Sequence, residues 1–278
     1  MLRGFNVSLD ASQFHKFFFS LRGWSELWES FVAKSKAKRG VIENEVKSKI
    51  MSGKWVINGA DVESNWFPKI QNHVFISHSH QDEELALGLA GALKTWLNID
   101  AFVDSSVWGY YMDLQKSLFS EVKSRAANGL SEDALLELWN TCATHVHCML
   151  SKSLIQMMDQ CECLLFLNTP SSIAIQDIKA NGSCTYSPWI YTEIEASRML
   201  RTHRDPRRPR QGLIKESSAT GMDAALECLV EYPLNLDHLT SISTQDVYSW
   251  IREGYKAAAE TASGGPFVAL DVLYAAKP

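Results

Sequence analysis

The run Asn72-His73-Val74-Phe75-Ile76-Ser77-His78-Ser79-His80-Gln81-Asp82 constrains the chain more than any other stretch. A short β-branched and aromatic segment stops at small polar residues, and Leu85, Leu89, Leu93 and Trp96 then recur at helical spacing. A short strand leading straight into an amphipathic helix is the repeating unit of an α/β sheet, which delivers loops to its carboxyl edge, where such folds bind ligands. The pattern returns along the chain. Ile99–Val103 ends at the polar loop Asp104–Gly109, and Cys163–Leu167, which shows no alternation, reads as a strand buried on both faces and ends in Asn168-Thr169-Pro170.

The expected fold class is therefore α/β: a flavodoxin-like open parallel sheet with helices on both faces, spanning 71–260. A mainly helical, aromatic-rich extension is set apart at 1–70, a helical insertion at 110–143, and a C-terminal tail at 261–278. In the extension, Phe14, Phe17, Phe18, Leu21, Trp24, Leu27, Trp28 and Phe31 predict an amphipathic helix over 11–34. A weaker helix follows near Val41–Met51, then a hairpin or extended arm from Lys54 to Glu63 turning at Asn58-Gly59. So many aromatics must be covered, either by the following domain or by another copy of the chain. Within the insertion, Gly129 separates two helical segments, and His145–Gln160 is the next covering helix. Gly212–Ile214 and Cys228–Tyr232 are short strand candidates, and Thr244 caps a last helix.

Composition narrows the function classes. A net charge of −5 over 278 residues offers no general attraction to nucleic acid or to an anionic membrane surface. The basic run from Arg198 to Arg210 is local and reads as a solvated helix end and loop. No secretory signal precedes the six scattered cysteines and no window has the length of a membrane span, so a cytoplasmic protein with reduced thiols is expected. His145-Val-His147 has no third ligand at a recognisable spacing, so neither a metal nor a cofactor is expected.

If the strands at 74–77 and 163–167 lie side by side where chain connections diverge, the crevice between them is the ligand site. Ser187 is an N-cap and Pro188 a first helical residue, so a helix over 187–200 starts beside it. Trp189, Glu193, Ala196 and Leu200 share one face of that helix. Side chains lean toward the helix start, which carries the Glu193 carboxylate back toward Trp189 and the strand ends. An acid on an apolar face beside a crevice is costly unless something there uses it. Hydroxyls and amides of Ser77, Ser79, Asn168 and Thr169 are placed to meet a ligand's oxygens, and Trp108 or Trp189 to stack on a ring. His78 and His80 can line the site, but no carboxylate partner for them is evident in the sequence.

In three places the chain resembles Toll/interleukin-1 receptor (TIR) domains, bacterial ones especially. Val74-Phe-Ile-Ser-His-Ser-His-Gln-Asp82 is similar to the family's first strand, and Phe102-Val-Asp104 with its Gly-containing loop to the second strand and BB loop. Ser187-Pro-Trp-Ile-Tyr-Thr-Glu193 resembles the Ser-x-Trp-x-x-x-Glu helix start. The likeness covers about 72–255 in order and leaves out the extension and the insertion. It implies an enzyme that cleaves the nicotinamide–ribose bond of NAD as substrate, with Glu193 catalytic and Ser77, His78, Ser79, Asp104, Trp108, Asn168, Thr169 and Trp189 binding substrate. It further implies homo-oligomers, an upstream sensor or downstream effector as partner, and bacterial antiviral defence. A non-catalytic TIR scaffold and a nucleoside deoxyribosyltransferase-like enzyme are the competing readings.

Overall fold

The computed structural model describes residues 3–10, 12–14, 16, 59–67, 69–104, 108, 111–124, 129–175, 183–200, 230–261 and 265–277. Five strands form one parallel sheet: β1 (Arg3–Ser8), β2 (Val74–Ser77), β3 (Ala101–Phe102), β4 (Cys163–Leu167) and, at the far edge, the strand Thr240–Ser243. Their order is β3-β2-β4-β1 followed by Thr240–Ser243. β4 is buried at every position and pairs with β2 on one side and β1 on the other, as its unbroken apolar run requires.

The position of β1 differs from the expected boundary at residue 70. Arg3–Ser8 is an inner strand, with Phe5 opposite Leu165 and Thr240, so the sheet draws on the segment set apart as an extension. Phe5 and Val7 alternate with half-buried or exposed neighbours, a strand signal overshadowed by the aromatic periodicity that follows it. Gly4 leaves room for Leu239, whose side-chain tip would have to shift to admit a Cβ there. β3, β2 and β4 lie side by side, and β1 occupies the fourth place.

Helices cover both faces. On one face, α2 (Glu83–Leu97) packs on Val74, Ile76 and Leu165, together with two helices from the C-terminal end of the chain, Thr244–Glu260 and Pro266–Ala276. The second of these lies in the tail set apart at 261–278. It is fastened by Ala269, Leu270 and Leu273 in the core and by Trp250 Nε1 donating to Ala269 O at 2.7 Å. Asn98 ends α2 in the left-handed conformation at φ 52°, its N–H closing on Leu93 and Lys94 carbonyls.

The other face, with Phe75, Phe102, Leu164 and Phe166, is covered by α1 (Gly59–Trp66), α3 (Tyr111–Ser124), α4 (Glu132–Gln160) and α5 (Pro188–Met199). Gly59–Trp66 is helical where a hairpin or arm was expected. Val62 and Trp66 fall on its buried side, and burying Trp66 completely contributes roughly 2–3 kcal/mol. The insertion and the covering helix are not separate either, because α4 runs unbroken through residue 144 for 29 residues from its Ser131 cap. Nothing from Asn140 to Val146 breaks a helix, and Gly129, at φ 64°, lies before its start. A second, antiparallel sheet joins β5 (Ala174–Ile175), β6 (Ser183–Thr185) and β7 (Tyr232–Leu234), within and beyond the long loop after β4.

With the edge strand Thr240–Ser243 now β8, the last two helices are α6 (Thr244–Glu260) and α7 (Pro266–Ala276). Ser243, not Thr244, caps α6. The helix expected over 11–34 beyond residue 16, the one near 41–51 and the strand at Gly212–Ile214 lie outside the described residues. Among the described residues no helix is long and apolar enough to cross a membrane.

Candidate active site

The chain leaves β2 toward β3 on one side and reaches β4 on the other, so the carboxyl ends of β2 and β4 flank a switch point. Ser77 closes β2 opposite Phe166 of β4. α5 is aimed at this edge by its start: Ser187 Oγ accepts from Ile190 N at 3.3 Å, Thr185 Oγ1 accepts from Ser187 N at 3.1 Å, and Pro188 opens the first turn.

One turn in, Glu193 is 5% exposed, and Ser77 Oγ donates a 2.5 Å hydrogen bond to its Oε2 across 116 residues of sequence. Burial and the nearby Asp104 charge push the Glu193 carboxyl up to about 8, against the opposing pull of the Ser77 hydroxyl. Near neutrality this carboxyl holds its proton. His78, whose side chain is 3% exposed, places Nδ1 3.8 Å from Asp104 Oδ1. The fold thus supplies the carboxylate neighbour for His78 that was not evident in the sequence. Asp104 itself is half-exposed at the end of β3 and contacts both His78 and, through its field, Glu193.

The loops beyond the strands are tied together. Thr169 Oγ1 donates to Asp82 Oδ2 at 2.5 Å, which joins the loop after β4 to the 3-10 turn His80–Asp82 after β2. Ser172 Oγ donates to Leu167 O at 2.7 Å and accepts from Thr169 N at 2.9 Å, closing the β4 loop on itself. Asn168 N donates to Val7 O at 2.9 Å, holding the end of β4 against β1. Ser79 accepts from Gln81 N and caps the 3-10 turn.

The two candidate tryptophans fare differently. Trp108 is 3% exposed and packs edge-on against Phe67 and Phe102 at 5.1 and 4.8 Å, a core position rather than a stacking platform. Trp189 stays partly exposed and meets Tyr111 of α3 and His147 of α4, ring centroids 5.6 and 5.5 Å away. Asp82, Ser172, Tyr111 and His147 were not anticipated as site residues. Asp82 has the look of an N-cap for α2, yet its side chain makes no capping bond and turns to Thr169 instead. Tyr111 and His147 meet Trp189 only because α3 and α4 bring them against α5, which no local pattern announces.

Among the described residues no three His, Cys, Asp or Glu side chains cluster to hold a metal ion. Comparisons with family models, curated proteins and solved structures find no match for this chain.

Proposed function

We propose that the chain is a TIR-type NAD nucleosidase of the flavodoxin-like class. It cleaves the nicotinamide–ribose bond to nicotinamide and ADP-ribose, or to a cyclic or transferred ADP-ribose product. The observation that carries this reading is the buried Glu193 carboxyl, held by Ser77 at the switch point between β2 and β4. Nicotinamide departs from a positively charged pyridinium as a neutral molecule, taking the bonding pair of the C–N bond. It needs no proton, so the second carboxyl group of ordinary glycosidases is unnecessary. An ionised Glu193 accepts from ribose hydroxyls and stabilises the oxocarbenium-like charge that develops on the sugar. Water adding to that carbon and losing a proton completes hydrolysis; a ring nitrogen or foreign hydroxyl in its place gives cyclisation or transfer.

Incubation of the purified protein with NAD is expected to release nicotinamide, and mass spectrometry identifies the sugar product. A Glu193→Ala variant with full turnover would overturn the assignment. A deoxyribosyltransferase-like enzyme is the second reading, favoured by the same pairing, since a lone carboxyl with a hydroxyl donor also suits a nucleophile at a sugar carbon. It predicts base exchange on deoxynucleosides and no loss of NAD. A TIR scaffold without activity predicts neither. We further propose a cytoplasmic homo-oligomer acting in antiviral defence between a sensor and an effector; mass in solution tests the oligomer.

A further inference from the structure

Asp82 gives up a local bond for a distant one. It stands at the N-cap of α2, where a carboxylate ordinarily accepts from the first amides of the helix, and it makes no capping bond. Its Oδ2 instead accepts from Thr169 Oγ1 at 2.5 Å, across 87 residues of sequence. A hydroxyl donating to a carboxylate is among the stronger hydrogen bonds a protein makes. Thr169 is fully engaged in return. Its one hydroxyl proton goes to Asp82, and its lone pairs receive Ser171 N at 3.3 Å and Ser172 N at 3.2 Å. At 7% exposure its hydroxyl has no capacity left for a ligand.

Each end of this bond sits in a loop already closed on itself. In the loop after β2, Asp82 N donates to Ser79 O at 2.8 Å and Gln81 N to Ser79 Oγ. In the loop after β4, Ser172 is 1% exposed, and its Oγ donates to Leu167 O while accepting from Thr169 N. Two stiff loops fastened by a strong bond move as one body, whereas unfastened they pivot about their strand ends. Those strand ends belong to β2 and β4, which flank the switch point, and β2 holds Glu193 through Ser77.

We propose that Asp82 is a positioning residue for NAD cleavage: with Thr169 it forms a clasp that fixes the walls of the crevice relative to Glu193. The proposal rests on the NAD reading and deepens it, because it moves Thr169 from the groups that meet substrate to the frame that holds them. A nucleotide between pivoting walls would meet Glu193 in many poses, and misplacement by about 1 Å costs on the order of a hundredfold in rate. The clasp removes those poses before substrate arrives.

Steady-state kinetics on full-chain variants test this. Asp82→Ala and Thr169→Val are each expected to lower kcat by about tenfold to a hundredfold per folded molecule. The double variant should lose no more than the worse single, since both break one bond. Asp82→Asn keeps a carbonyl oxygen for the Thr169 hydroxyl and should recover most of the loss. If Asp82→Ala does not fold, Thr169→Val opens the clasp from its other end. A second readout needs no turnover. Hydrogen exchange followed by mass spectrometry should show residues 168–175 exchanging at least about tenfold faster in Asp82→Ala, and residues 78–82 likewise in Thr169→Val. Full kcat in Asp82→Ala overturns the proposal. Losses that add in the double variant overturn it too, and mark Thr169 as a substrate contact. Wild-type protein that leaves NAD intact sinks the nucleosidase reading instead, and the clasp then stands or falls on whether exchange in one loop responds to the variant in the other.

Discussion

α5 and α6 both start with a serine cap, and they use their acids in opposite ways. α6 begins with Ser243, whose Oγ accepts from Asp246 N, while Asp246 Oδ2 accepts from Ser243 N at 2.8 Å. Lys277 adds an ion pair at 3.1 Å, and these partners hold the Asp246 carboxyl below its usual value. That acid serves the helix that carries it. α5 begins as correctly, with Ser187 as cap and Pro188 in the first turn, but its buried acid comes one turn later and contributes nothing to capping. Glu193 is raised where Asp246 is lowered. The contrast teaches that a helix start can be complete without its acid, and that an acid left over in a buried place is a cost carried for something other than folding.

Substitutions at the two acids should separate the two uses. Glu193→Ala is expected to lower NAD cleavage by on the order of a hundredfold or more, whereas Asp246→Ala should leave the rate per folded molecule nearly unchanged. Steady-state kinetics on both variants would break the comparison if Asp246→Ala lost as much. The next effect is on stability. Glu193 titrates higher folded than unfolded, so the folded state holds the extra proton and loses stability as pH rises from about 4.5 to about 8. Glu193→Gln should therefore match the wild type at acid pH and be more stable above about pH 8, by on the order of a few kcal/mol in denaturant melts.

Asp246 has the opposite sign. Its folded value lies below the unfolded one, so its stabilisation is present above the unfolded value and is lost as pH falls through the folded value. Asp246→Ala should cost about 1 kcal/mol at neutral pH and nothing in strong acid. The smallest effect belongs to Asp104. Removing its charge with Asp104→Asn relieves one of the two causes that raise Glu193, so the midpoint of NAD cleavage against pH should move toward acid. An unmoved midpoint would mean that burial alone sets Glu193.

Local features of this contrast were legible in the sequence. The Val74–Ser77 run, the unalternating Cys163–Leu167 and the Ser187-Pro188 helix start each carry their own signal within a few residues. The face shared by Trp189 and Glu193 follows from helical spacing. What could not be read is what depends on distant partners. The contact of His78 with Asp104 and the bond of Thr169 to Asp82 require the sheet to bring loops together. Trp108 was indistinguishable from Trp189 as a stacking residue until packing put one in the core and left the other partly open. The continuity of α4 was missed because Gly129 was given company at residue 144, where no breaker stands.

The inner place of β1 sets a schedule for making this protein. On a ribosome β1 is made before its two neighbours in the sheet, which follow roughly 160 and 235 residues later. Until β4 is made Phe5 and Val7 have no strand to lie against, and until β8 is made the half-built sheet presents the open side of β1. Such long-range closure slows folding. A nascent chain of this kind should depend on holding factors until β8 is made, and removing β1 should take out the keystone of the sheet rather than an ornament.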